Sequence, residues 1–294
     1  GGVPVHDLDG DPTPDGRPPH SDHGQNAALP PATAGYGAAV VTHTGTALPP
    51  ALPHGTWPSP LSAADLAAGS VAPSNLVAVG QQLYWTESRP AEDGRQALVG
   101  WDGREVADRT PRDFDARTRV HEYGGAPFTV VDDHLLASRF DDQRLHWVSS
   151  GDAVPATSPP PRPASVRWAD ARAVPGARAL VAVRETHHED APPTNEVVHL
   201  DLDEGVEHVL VTGRDFVSMP RLSPDGTRLA WLAWDHPYMP WDSAELWVAR
   251  FRGDHLDTPH HVAGDADGSV CTLTWMPDGR LAYSMDDSGY WEVH

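Results

Sequence analysis

Two stretches concentrate side chains that could do chemistry. Arg119-Val120-His121-Glu122-Tyr123-Gly124-Gly125 sets a guanidinium, an imidazole, a carboxyl and a phenol directly before a glycine pair, where the backbone is expected to turn sharply. Trp234-Asp235-His236-Pro237-Tyr238-Met239-Pro240-Trp241-Asp242 reads as a long aromatic and proline-rich hairpin loop. Such groups can pair with a charged end of a ligand, or they can tie neighbouring elements through buried hydrogen bonds. Both roles stand for Arg119, His121, Glu122, Tyr123, Asp235, His236, Trp241 and Asp242.

Other chemistry is missing. An α/β-type serine hydrolase holds its nucleophile in Gly-x-Ser-x-Gly, where the glycines permit a strained elbow. No serine here has glycine two positions before it; Ser223, Ser269 and Ser288 have Arg221, Asp267 and Asp286. No His-Glu-x-x-His and no phosphate-cradling glycine loop occur. The single cysteine, Cys271, excludes an internal disulfide and a cysteine-based zinc cluster, and it reads as a small buried residue before the last turn. His187-His188-Glu189-Asp190 and His260-His261 are the densest potential metal ligands, but both fall in expected loops and read as solvated. Asp7, Asp9 and Asp11 fail as a calcium loop, because Pro12 and Pro18 stand where glycine and glutamate are needed. No catalytic residue, metal or cofactor is expected in this chain.

The elements that must position the two stretches come from a repeat. Arg221-Leu222-Ser223-Pro224-Asp225-Gly226-Thr227-Arg228-Leu229-Ala230-Trp231 reads as strand end, tight turn and second strand: Pro224 presets φ, Asp225 bonds its own backbone and Gly226 takes the positive φ. A partner strand follows at Ala244-Glu245-Leu246-Trp247-Val248-Ala249. Thr274-Trp275-Met276-Pro277-Asp278-Gly279-Arg280-Leu281 repeats the unit, and weaker copies lie upstream. Aligning Leu83, Leu135, Leu180, Leu229 and Leu281 gives steps of 52, 45, 49 and 52 residues. A strand-only repeat of roughly 40 to 50 residues is the mark of propeller blades, whereas sandwich hairpins need not share one turn chemistry. The expected fold is all-β: an incomplete β-propeller of about five blade units, the last cut short, over residues 49–294. Residues 1–48, rich in proline, glycine and aspartate, are expected to be a disordered tail. Ser62-Ala63-Ala64-Asp65 is a capping box opening one short helix. The stretch 149–167, with Ser158-Pro159-Pro160-Pro161, is expected to be an extended connection between blades.

Composition narrows the partners. Over 294 residues, 21 basic against 42 acidic side chains give a net charge of −21, which argues against nucleic acid and anionic membranes, both bound through lysine and arginine. No apolar run approaches the roughly 20 residues of a membrane span and no signal peptide is evident, so a cytoplasmic location is expected. Several of the 11 tryptophans, Trp85, Trp231 and Trp275 among them, fall in or beside strands and read as packing between blades. The oligomeric state is not encoded in any of these features.

Five stretches taken together carry a family resemblance: Gly55-Thr56-Trp57-Pro58-Ser59-Pro60, Arg117 to Gly125, Asp141-Asp142-Gln143-Arg144-Leu145, Arg221 to Gly226, and Trp234 to Asp242. In this order the chain resembles the amino-terminal propeller of prolyl oligopeptidase-family serine peptidases, of the dipeptidyl aminopeptidase or acylaminoacyl-peptidase type. The resemblance implies a propeller that gates a carboxy-terminal α/β-hydrolase domain and admits short peptides. That domain and its nucleophile are absent from this chain, which alone is expected to be inactive. Under this reading Arg119, His121 and Glu122 face the cavity or the interdomain interface, and Glu122 pairs with a peptide amino terminus. The competing readings are a non-catalytic TolB-like propeller acting as a protein-interaction scaffold, and a truncated relic.

Overall fold

The computed structural model describes residues 53, 62–68 and 70–294. The expected tail, residues 1–48, and the Trp57-Pro58-Ser59-Pro60 stretch lie outside them. The capping box forms as the sequence dictates. In front of helix α1 (Ala63–Ala68), Ser62 Oγ accepts the Asp65 N–H at 3.0 Å while the Asp65 carboxylate accepts the Ser62 N–H at 2.9 Å. No helix among the described residues is long and apolar enough to cross a membrane.

After α1 the regular structure is antiparallel sheet, broken by one 3-10 turn at Pro90–Glu92 and arranged as a five-bladed propeller. The first blade is β1 (Ala72–Val79), β2 (Gln82–Arg89), β3 (Arg95–Trp101) and β4 (Val106–Asp108). The second is β5 (Phe128–Val131), β6 (His134–Ser138), β7 (Leu145–Ser149) and β8 (Asp152–Pro155). The third is β9 (Val166–Ala173), β10 (Ala179–Thr186), β11 (Thr194–Asp201) and β12 (Glu207–Val211). The fourth is β13 (Phe216–Leu222), β14 (Arg228–Trp234), β15 (Glu245–Arg250) and β16 (His260–Ala263). The fifth sheet has three strands, β17 (Val270–Trp275), β18 (Leu281–Met285) and β19 (Glu292–Val293).

The five aligned leucines fall in the second strand of each blade, where the side-chain period of two explains the apolar runs. In β10, Leu180 and Ala182 join Leu136 and Leu145 of the second blade, while Val181 and Val183 join Leu229, Trp231 and Ala233 of the fourth. In β14 the alternate residues Ala230 and Leu232 pack toward Val270 and Leu273 of the fifth blade. A middle strand covered on both faces has no polar side to show. Core therefore lies between successive blades, not inside any one of them.

The repeated turn closes as its chemistry predicts. Gly226 sits at φ +68°, its N–H bonds Ser223 O at 2.8 Å, and Asp225 Oδ1 accepts the Thr227 N–H at 3.1 Å. Ser223 Oγ donates to the same oxygen at 2.5 Å, and this bond, with that from Thr227, holds the Asp225 carboxyl down at about 2.

Three expectations are corrected. Residues 149–167 are not one extended connection, because β8 and the start of β9 lie within them. His260 and His261 lie in strand β16, and the His261 ring meets Trp247 across the sheet. Cys271 is exposed: Val270 and Leu273 take the side of β17 that faces the fourth blade, and a bulge turns Cys271 to the other face beside Ser284.

Candidate functional site

Antiparallel order inside each blade sorts the connections. The first-to-second-strand turns, including the repeated Ser-Pro-Asp-Gly turn, emerge at one end of the propeller. The second-to-third-strand hairpins and the links between blades emerge at the other. Loop 119–125, the β10–β11 hairpin, the β12–β13 link and the β14–β15 hairpin therefore share an end face. Both chemistry-bearing stretches lie there.

Loop 119–125 is a left-handed turn. His121, Glu122 and Gly124 have φ of +56°, +66° and +90°, and the N–H groups of Glu122 and Gly124 return to Arg119 O and Val120 O at 2.9 and 2.8 Å. Side-chain acceptors on neighbouring blades hold it. Fully buried Gln143 accepts the Arg119 N–H through Oε1 at 2.7 Å, and buried Glu185 accepts the His121 N–H through Oε2 at 2.7 Å. Arg167 Nη1 donates to Arg119 O at 2.7 Å, Glu122 Oε1 at 2.7 Å and Glu185 Oε1 at 3.2 Å. This explains the glycine pair. A Cβ on Gly124 would stand 3.0 Å from Thr118 O, and one on Gly125 would stand 3.0 Å from Ala169 Cβ.

The two stretches meet at an aromatic cluster. The His121 ring lies 5.3 Å from Phe216 and 5.4 Å from Trp234, edge-on to both; Phe216 stacks on Trp234 at 5.2 Å and meets His236 at 4.9 Å. Beside it a cavity of about 370 Å³ is lined by His121, Glu122, Glu185, His187, Asp215 and His236 among others. Burial holds the His121 imidazole below its ordinary value against the opposing pull of Glu185 and Asp170, so it sits neutral at pH 7. The Arg167 hydrogen bond holds the Glu122 carboxyl below the usual range, keeping it anionic.

The expected site residues divide. His121, Glu122 and His236 line this cavity. Tyr123 opens on a second cavity, of about 390 Å³, on the far side of His121. Arg119 turns away: its guanidinium lies over the Phe140 ring at 4.1 Å, with Arg117 over the same ring at 3.8 Å. Asp235 is a brace, accepting Arg214 Nε at 2.7 Å and the Asp215 N–H at 2.7 Å. Asp242 accepts the Met239 N–H at 3.0 Å and shapes its own loop, and Trp241 stands 58% exposed on the end face. Glu185, Arg167 and Asp215 were not anticipated. The available signal was Glu185, an acid in phase with Val181 and Val183 on the strand that the apolar run Leu180 to Val183 begins.

Glu122, Glu185 and His187 offer ligand atoms within 4.8 Å of one another, the spacing a cation would need. Arg167 already occupies that space as the counter-charge, and His187 Nε2 lies 2.6 Å from Glu185 Oε1. The set therefore reads as an arginine-braced network with one carboxylate charge to spare, and not as a metal centre.

Among solved structures, the chain is similar to a puromycin-hydrolyzing peptidase from Mycobacterium tuberculosis, at 34% identity and a TM-score of 0.73, over 82% of this chain and 40% of that one. It is similar to a puromycin hydrolase at 31% identity and a TM-score of 0.74, over 83% of this chain and 40% of that one. A prolyl endopeptidase at 12% identity and a TM-score of 0.52 shares the fold alone. The chain thus spans about 40% of the length of the first two relatives, and what it matches is their propeller portion. No protein-family model and no curated protein sequence matches it.

Proposed function

We propose a function from the premise that this chain belongs to the prolyl oligopeptidase family as its propeller portion: the end face bearing loop 119–125 and the β14–β15 hairpin walls and gates a peptidase site that accepts short peptides. The observation that carries the reading is the convergence of these two stretches, far apart in sequence, around one acidic cavity of about 370 Å³. Glu122, 73% exposed at its side chain and held ionised, supplies the carboxylate for a peptide amino terminus, and the aromatic cluster supplies the apolar wall. The chain contains no nucleophile elbow, so hydrolysis belongs to a companion α/β-hydrolase domain.

The test is to express the whole reading frame that contains this chain and assay it with short peptides. Turnover of free-amino peptides is expected, and Glu122→Gln should raise their KM by about tenfold, the scale of one charge-assisted hydrogen bond, while leaving N-acetylated peptides untouched. Unchanged kinetics in Glu122→Gln would remove Glu122 from recognition. A folded product without any peptide turnover would remove the peptidase reading itself.

A further inference from the structure

The cavity on the other side of His121 holds charge that the peptide-gating role does not use. It encloses about 390 Å³ and is lined by inner strands of three blades, with Asn75 from β1, Asp170 and Arg172 from β9, and Ser218, Met219 and Arg221 from β13. β9 and β13 are built alike at this point. Asp170 and Met219 take the same left-handed backbone, φ +55° and +52°, each at a bulge in its strand. The arginine two residues on curls back, so that Arg172 Nη1 donates to Ala171 O at 2.8 Å and Arg221 Nη1 to Pro220 O at 2.9 Å. One irregularity, repeated in adjacent blades, thus delivers two guanidinium groups to one cavity.

Neither guanidinium has a carboxylate within salt-bridge distance among the described residues, although acidic side chains outnumber basic ones 42 to 21 in the chain. The nearest acid, Asp170, spends both oxygens on backbone: Oδ1 accepts the Ala126 N–H at 2.9 Å and Oδ2 the Met219 N–H at 3.0 Å. Each guanidinium carries five donors in a planar fork, of which one here is used by a carbonyl. Burial, and then the charge of Arg172 beside it, pulls the Arg221 guanidinium down to about 10; burial lowers Arg172 as well. Two half-buried like charges with free donors are in the state that an incoming anion relieves.

We propose that Arg172 and Arg221 form a carboxylate-binding site in the axial cavity of the propeller, taking a monoanionic carboxylate such as the carboxy terminus of a short peptide. Two guanidinium groups against Asp170 leave one net positive charge, which matches a carboxylate, and the Asp170 charge disfavours a phosphate dianion. The cavity has room for the terminal residues of a peptide, and Tyr123 and Gly124 stand at its wall. The site does not rest on the peptidase reading, because its occupancy is read by binding to this chain without turnover.

Titration calorimetry on the 294-residue chain, with a tripeptide acid, its carboxamide, acetate and inorganic phosphate as probes, tests it. The acid should bind at least about tenfold more tightly than the carboxamide, and Arg172→Gln and Arg221→Gln should each lose about tenfold or more, as for a charge-assisted pair. Arg221→Lys should recover part of that loss, since it restores charge without the fork. Acetate binding as tightly as the tripeptide acid would confirm the carboxylate site and assign it to small acids instead of peptides. Equal affinity for acid and carboxamide, affinity that survives both glutamine variants with unchanged circular dichroism, or tighter binding of phosphate than of any carboxylate would each overturn the proposal.

Discussion

The Asp170 carboxylate accepts the backbone N–H of Met219 at 3.0 Å, joining the inner strands of the third and fourth blades at a point where both are bulged. Its other oxygen takes the Ala126 N–H, just before the second blade, so one side chain that is 7% exposed ties three blades at the axis. Inner strands leave their bulged N–H groups without a ladder partner, and a buried donor left so costs about 1 to 3 kcal/mol. Asp170→Ala should therefore destabilise the propeller by about 3 kcal/mol or more, with two donors orphaned. Asp170→Asn, which turns an NH2 toward one of those donors, should lose about half as much. Urea denaturation followed by tryptophan fluorescence reads both, and wild-type midpoints in the two variants would deny Asp170 this role.

Loop 119–125 depends on Gly124 for a conformation that other residues resist. At φ +90°, with Thr118 O standing 3.0 Å from where a Cβ would be, Gly124→Ala meets both backbone strain and a carbonyl that must shift to admit it. The expected cost is about 1 to 3 kcal/mol. The control is Gly80→Ala, at φ +58° with open space around it, which carries the strain without the clash. A Gly124→Ala protein no less stable than Gly80→Ala would show that the loop relaxes freely.

How much of this was legible in the sequence depended on which strand was being read. Second and third strands announced themselves, because Leu180 to Val183 and Leu229 to Trp234 are apolar on both faces and follow strong turns. Inner strands hid, since Asn75, Asp170 and Met219 interrupt their alternation with bulges, and outer strands such as β12 hid because they are short and half exposed. At the site the sharp turn at the glycine pair could be read locally. The turn of Arg119 toward Phe140, the use of Asp235 as a brace for Arg214, and the pairing of Arg172 with Arg221 could not. Each depends on residues that only blade packing brings together.

Three partly or fully buried histidines make this propeller sensitive to mild acid. Burial holds His121, His146 and His199 below the ordinary value of 6.5, so the folded state disfavours their protonation more than the unfolded chain does. The stability they contribute is complete above pH 6.5 and is lost as the pH falls through their lower folded values. Asp225, held at about 2, stays ionised throughout that window and does not contribute to the loss. Thermal midpoints should decline between pH 6.5 and 5. His121→Asn, which tolerates the left-handed backbone, should flatten part of the decline. A profile of unchanged slope in this variant would place the acid sensitivity on the other two histidines.

Arg167 is the counter-charge on which loop 119–125 rests. Its side chain is 12% exposed and faces Glu185, whose side chain is 3% exposed, and the same Nη1 also reaches Glu122 and the carbonyl of Arg119. Removing one partner of a buried pair leaves the other charge uncompensated, at a cost of about 3 to 5 kcal/mol. Arg167→Gln should therefore destabilise strongly, and Arg167→Gln with Glu185→Gln should recover much of the loss, because the buried charge then disappears from both sides. The loop offers a second readout: with its brace gone, the amides of His121 and Glu122 should exchange with solvent much faster, while those of β10 and β14 remain protected. Additive losses in the double variant would mean that Arg167 acts through packing, and unchanged exchange at His121 would mean that Gln143 and Glu185 hold the loop without it.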